Sequence, residues 1–239
     1  MRVLWAGILS AGLLASPCTS AAAPQRELTS PEARIVIDVG HGGVDSGTTY
    51  GTILEKDINL AVGLKLYSLL QSRHIEASIN RTTDYALSDD NPGRTGGRHR
   101  RDLAQRVEIA NKLQPAFMLS LHVNWTSNAA RSGPLVIYCK HQEAGKQLAM
   151  KLQEELNRLY GTNTEPFASK SYYVLTHCRI PSVIVEMGFL SNKKDRQLLV
   201  TPQFQQKLAE AIGKASMDAL KEDFASYAGS KSKKNRSVK

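Results

Sequence analysis

The chain has 239 residues, with 31 Lys and Arg against 22 Asp and Glu, for a formal net charge of +9. That length suits one α/β domain able to bury a continuous core without staples. Three cysteines without a C-x-x-C pair exclude a disulfide scaffold and a zinc knuckle.

The first segment reads Met1-Arg2, then an apolar run over residues 3–15, then Ser20-Ala21-Ala22-Ala23 before Pro24. Charge, apolar stretch and small residues come in the order of a secretory signal, expected over residues 1–23. The apolar run is shorter than the roughly 20 residues that span a bilayer, and Pro17 stands where a lipoprotein signal needs a small residue before Cys18. The chain is therefore expected to be exported across the cytoplasmic membrane, with a polar linker over 24–32.

From there short apolar runs alternate with amphipathic stretches. Strands are expected over 34–39, 77–80, 117–121, 135–138, 172–175 and 182–185, and helices over 57–71, 101–113, 143–160 and 202–227. In the third helix Ala144, Leu148, Leu152, Leu156 and Leu159 recur at spacings of three and four, which makes one core-facing stripe. Several strands are continuously apolar, as expected where both faces are covered. The pattern predicts a single α/β domain over 33–228, a twisted and mostly parallel sheet of six strands with helices on both faces. Residues 83–100, with Asp89-Asp90-Asn91-Pro92-Gly93 and Gly96-Gly97, read as a long irregular loop. Cys139 and Cys178 read as two small core residues, although export permits a disulfide.

Six of the nine net charges come from Arg2 and from Lys231, Lys233, Lys234, Arg236 and Lys239. Residues 229–239 are expected to be a disordered basic tail that can touch an anionic wall or membrane surface. It lacks the interleaved aromatics of a nucleic-acid binder.

In open α/β sheets the site gathers beyond the carboxyl ends of the strands. The first strand runs into Gly40-His41-Gly42-Gly43, the third ends at His122 and the sixth at Glu186. The glycines around His41 suit a ligand loop, and a tight turn that happens to contain a histidine explains them equally well. This turn lacks both the G-x-G-x-x-G pattern and a Walker lysine of phosphate loops. Glu55, in Leu54-Glu55-Lys56-Asp57, opens the next helix, where the macrodipole favours a carboxylate whether or not it binds metal. With two imidazoles it completes a His, His, Glu set that leaves a fourth tetrahedral position open, the arrangement of a catalytic zinc. Glu186 lies in an apolar run, where a carboxylate needs either a buried cation, such as one of the Arg98 to Arg106 cluster, or a role as general acid and base. Arg106 is the cluster member expected to meet a substrate carboxylate or orient an active-site acid. His74, His99, His141 and His177 read as surface or core histidines.

Taken in order, Ile37-Asp38-Val39-Gly40-His41-Gly42-Gly43-Val44-Asp45-Ser46-Gly47, Leu54-Glu55-Lys56-Asp57, Arg81-Thr82-Thr83-Asp84, Leu103-Ala104-Gln105-Arg106 with Ala110-Asn111, Ser120-Leu121-His122-Val123-Asn124 and Val185-Glu186-Met187-Gly188-Phe189-Leu190-Ser191-Asn192 resemble the zinc-dependent N-acetylmuramoyl-L-alanine amidases of bacterial cell walls. The resemblance covers most of the chain from Ile35 to about Leu220. It implies one zinc ion per chain on His41, Glu55 and His122, Glu186 as catalytic acid and base, and peptidoglycan as substrate; Arg106 and Asn124 are expected as substrate-contacting or supporting residues. The reaction implied is hydrolysis of the bond between the lactyl group of N-acetylmuramic acid and L-alanine of the stem peptide. Val39 stands where the family usually has proline and Trp125 where a small residue is usual, which predicts a less rigid first loop and a bulkier cleft wall. Residues 83–100 are too short and Gly-rich for the blocking helix of the division-associated members. The Gly96-Gly97-Arg98-His99-Arg100-Arg101-Asp102-Leu103 stretch and the absence of wall-binding repeats look most similar to the germination-specific spore-cortex amidases, which implies muramic-δ-lactam formation, an accessory lipoprotein, and a place in the wall or the forespore intermembrane space.

Two other readings compete. A zinc carboxypeptidase uses the same metal and a glutamate base, but its first ligands usually share an H-x-x-E loop, whereas His41 and Glu55 are fourteen residues apart. A peptidoglycan-binding protein without catalysis suits the basic tail and leaves the ligand set unexplained.

Overall fold

The computed structural model describes residues 34–90 and 97–234, with side chains described for 34–89 and 97–222. The layering shows in its first strand, β1 (Ile35–Val39), where alternate residues enter different cores. Ile35, Ile37 and Val39 join a large apolar cluster on one face, and Val36 joins a smaller one on the other. A strand with both faces covered has no polar side, which is why the run reads as continuously apolar.

A short hairpin, β2 (Thr49–Tyr50) and β3 (Ile53–Leu54), leads into α1 (Glu55–Ser72), β4 (Ala77–Ile79) and a single 3-10 turn at Leu87–Asp90. Then come α2 (Arg98–Leu113), β5 (Phe117–Asn124), β6 (Leu135–Cys139), α3 (Glu143–Tyr160), β7 (Phe167–Ser169), α4 (Tyr173–His177), β8 (Ser182–Phe189), α5 (Lys193–Leu199) and α6 (Pro202–Lys234). The main sheet has six strands in the order β4-β1-β5-β8-β6-β7, and all its neighbours are parallel except β6 with β8. The expected fold class is the observed one.

Val62, Leu66 and Leu70 of α1, Leu148, Leu152 and Leu156 of α3, and Leu208 and Ile212 of α6 fill the large core. Each such side chain contributes about 1.5–3 kcal/mol when fully buried. Among the described residues the other face carries only α2 and the five-residue α4, through Val107, Ala110, Val174 and Leu175. The chain leaves β1 for β4 on one side by way of α1 and reaches β5 on the other side by way of α2, which makes the β1/β5 boundary the switch point where such sheets open a crevice.

Several boundaries differ from expectation. Residues 172–175, expected as a strand, belong mostly to α4, because a short buried apolar run has no periodicity that separates a strand from one helical turn. The sixth strand is β7, whose three residues are too few for a pattern to emerge. The third and sixth expected strands run on through His122 and Glu186 to Asn124 and Phe189. Helix α5 was not anticipated, although Asn192 caps it by accepting from the N–H groups of Lys194 and Asp195. The backbone of α6 continues to Lys234, into the tail expected to be disordered, since no proline interrupts it and its one glycine there, Gly229, costs only about 1 kcal/mol. The expected signal and linker, and residues 235–239, lie outside the described residues. Among the described residues no helix is long and apolar enough to cross a membrane, and Cys139 and Cys178 are free thiols.

Candidate active site

Where β1 ends, the chain turns through Gly40 into His41, whose φ of 61° is left-handed and strained for a side chain other than glycine. Three successive carbonyls of this turn are gripped by two buried guanidinium groups. Val39 O accepts from Arg106 Nη1 at 2.8 Å and Arg81 Nε at 3.3 Å, Gly40 O from Arg81 Nη2 at 3.1 Å, and His41 O from Arg106 Nη2 at 3.1 Å. Arg106 in turn pairs at 2.6 Å with both Asp38 and Asp102. Burial opposes its charge, but those two carboxylates outweigh it and push its pKa above the ordinary arginine value. Arg106 is therefore buried, with its guanidinium engaged by Asp38, Asp102 and the carbonyls of the His41 turn.

Val39, where proline is usual, uses the N–H that proline lacks: it donates to Asn80 Oδ1 at 2.8 Å. The loop is tied rather than loosened. Gly40 has its own reason, since a Cβ there would lie 2.5 Å from Cε1 of His122.

Glu55 opens α1, and its N-cap Leu54 supplies no side-chain cap. Its carboxylate accepts from Thr48 N–H at 2.8 Å through Oε2 and from Val123 N–H at 2.9 Å through Oε1. The same Oε1 lies 3.0 Å from His122 Nδ1 and 3.2 Å from His41 Nε2. Burial alone would raise the pKa of Glu55, but the two imidazoles hold it well below the usual carboxylate range. His41 is shifted the other way: burial disfavours its charge, and Glu55 and Asp45 more than restore it. The two rings stand edge to face with centroids 5.0 Å apart.

One ligand atom from each of His41, Glu55 and His122 lies within 4.8 Å of the other two. Two imidazoles and an ionised carboxylate converging on one point form a donor set that fits a zinc ion with a coordination position left for water.

Glu186 sits directly across from His122 in the β5/β8 register. Side chains of facing residues in adjacent strands share a side of the sheet, so both project toward the α2 face. The register then slips between His122 and Asn124, and a bulge of this kind beside a site re-aims the strand end. Asp195 Oδ2 pins it by accepting from Phe189 N–H at 2.9 Å and Gly133 N–H at 2.8 Å, and the Tyr160 hydroxyl donates to Met187 O. Burial pushes Glu186 up to about 7, and its Oε2 has no hydrogen-bond partner. Among the described residues no arginine pairs with that atom.

His41, His122 and Glu186 line a cavity of about 430 Å³. Its walls are Leu103 of α2, Val174 of α4 and Ile184 of β8, and Tyr172 and His99 also line it. His99, expected to be an ordinary histidine, therefore faces the site. Asn124 does not line this cavity; its Oδ1 accepts from Trp125 N–H, and Trp125 is exposed. Asp45, 3.2 Å from His41 Nδ1, escaped sequence reasoning, although its place four residues after a histidine in a Gly-rich turn was a usable signal.

The family model described as N-acetylmuramoyl-L-alanine amidase matches residues 35–216. The uncharacterized protein YqiI of Bacillus subtilis (strain 168) is 32% identical over 216 residues, 89% of this chain and 95% of that protein. The germination-specific N-acetylmuramoyl-L-alanine amidase of the same organism is 31% identical over 181 residues, 75% of this chain and 76% of that one. Among solved structures, the CwlD amidase from Clostridioides difficile in complex with the GerS lipoprotein superposes with a TM-score of 0.74 at 33% identity, covering 78% of this chain and 98% of that one.

Proposed function

The chain belongs to the N-acetylmuramoyl-L-alanine amidase family, and we propose that it is a zinc-dependent member that cleaves the amide bond between the lactyl group of N-acetylmuramic acid and the L-alanine of the peptidoglycan stem peptide. The observation that carries this reading is the convergence of one ligand atom each from His41, Glu55 and His122 within 4.8 Å, beside a cavity also lined by Glu186, whose Oε2 has no hydrogen-bond partner among the described residues.

His41, Glu55 and His122 are the ligands. The chemistry zinc supplies when bound is polarisation of the amide carbonyl and stabilisation of the charge that develops on its oxygen. Glu186 takes a proton from the water that attacks the carbonyl carbon and delivers it to the nitrogen as the C–N bond breaks. Burial raises the proton affinity of this carboxyl above that of an ordinary glutamate, which suits a group that must both take and return a proton. Leu103, Val174 and Ile184 give the cavity an apolar wall beside these groups.

The export expected from residues 1–23 puts such an enzyme where its polymer is, with the catalytic domain over 33–228. The 31% identity to a germination-specific amidase and the likeness to CwlD support a place in making the muramic-δ-lactam of spore cortex, with an accessory lipoprotein as partner. Zinc quantified in the purified chain, with stem-peptide release from peptidoglycan assayed before and after chelation, tests the chemistry. One zinc per chain and chelator-sensitive release of the whole stem peptide are expected; release of single terminal amino acids would sink the amidase reading, and failure to bind supplied zinc would sink the site.

A further inference from the structure

Two arginines hold the backbone of the His41 turn, but the direction of the imidazole itself has a different origin. The N–H groups of Gly42 and Asp45 each donate to the other residue's carbonyl at 3.0 Å. That reciprocal pair folds the chain back through Gly43 and Val44 and returns Asp45 to the ring four residues after it left. Asp45 Oδ1 accepts from Gly47 N–H at 3.2 Å, which fixes the carboxylate, and Oδ2 lies 3.2 Å from His41 Nδ1. The other ring nitrogen, Nε2, is the one beside Glu55.

We propose that Asp45 is the positioning residue of His41: it accepts the Nδ1–H, fixes that tautomer, and leaves the Nε2 lone pair turned toward the metal-binding group. The inference rests on the zinc reading of the site. An imidazole that donates to a carboxylate through one nitrogen is a more basic ligand through the other, and loss of such a partner typically lowers metal affinity by ~10–100-fold. Asp45 also has a second neighbour, Arg98 Nη1 at 3.8 Å from the same Oδ2, which connects it to the first residue of α2. The shorter contact is to the histidine, so the carboxylate serves the ring first.

Asp45→Ala, Asp45→Asn and Arg98→Gln, made in the full chain, separate the two contacts. Zinc affinity is read by competition with a chelator, and the His41 Nδ1-bound proton is read by NMR in zinc-loaded protein with 15N-labelled histidine. Asp45→Ala is expected to weaken zinc by ~10–100-fold and to lose the hydrogen-bonded Nδ1–H resonance. Asp45→Asn keeps an acceptor oxygen and should retain the resonance with an intermediate affinity; Arg98→Gln should bind zinc like wild type. Wild-type zinc affinity in Asp45→Ala overturns the proposal and leaves the metal site standing. Equal losses in Asp45→Asn and Arg98→Gln also overturn it, because Asp45 would then act through α2, and this comparison decides the matter even if Asp45→Ala does not fold. A wild-type chain that binds no zinc overturns the proposal together with the reading beneath it.

Discussion

The His41 turn and the Glu186 strand end face one cavity, yet they treat buried charge in opposite ways. At the turn, Arg106 meets two carboxylates and two carbonyls, and Asp38 accepts from Arg106, Ser120 and Asn80, each at 2.6 Å. At the strand end, Glu186 keeps a buried oxygen with no partner. A satisfied buried charge is scaffold, because breaking one part leaves the rest uncompensated. An unsatisfied one costs stability and persists where chemistry uses it.

Four perturbations break or sharpen that contrast. Glu186→Gln removes the proton carrier and leaves the ligands; kcat for stem-peptide release should fall by ~10²–10⁴-fold with zinc content unchanged, whereas His41→Ala and His122→Ala should lose the zinc as well. A fully active Glu186→Gln enzyme would end the assignment of the acid and base. Arg106→Met strands Asp38 and Asp102 and should cost about 3–5 kcal/mol in denaturant unfolding; a cost under 1 kcal/mol would mean the pairs do not persist in solution.

The third perturbation is pH. Glu186 is protonated in both folded and unfolded metal-free chains below 4.5, its ordinary value, and ionised in both above about 7. Its burial therefore costs nothing in acid, and the cost grows as pH rises between those values to about 3 kcal/mol. Metal-free Glu186→Gln should match wild type near pH 4 and gain on it toward pH 8, by chemical unfolding; a constant difference across that range would contradict the raised value. The smallest effect belongs to the ion pairs of Lys214 on α6. Lys214, exposed, meets the half-buried Glu155 of α3 and Asp218 of its own helix, so Lys214→Met should leave the unfolding midpoint close to that of wild type.

Much of the site was legible from local pattern. His41, Glu55, His122 and Glu186 announce themselves because each is a polar residue at the carboxyl end of an apolar run or the first turn of a helix, and strand ends are where open α/β sheets put chemistry. The stripe Leu148, Leu152, Leu156 on α3 was legible for the same reason, a repeat that one helix imposes by itself. Less was legible where an element is shorter than its own period. The three residues of β7 and the five of α4 hold too few positions to display alternation or a helical face.

The sequence by itself determined the fold class, the order of the layers and the identity of the chemical groups, because periodicity and residue type are local properties that survive without the fold. Only the tertiary structure decided their use. It turned Arg106 inward to Asp38, 68 residues away in the chain, engaged the N–H of Val39 with Asn80, brought His99 and Tyr172 to the cavity, and left Glu186 Oε2 without a hydrogen-bond partner among the described residues. Those outcomes depend on which distant groups a parallel sheet brings side by side, and no window along the chain contains both members of such a pair.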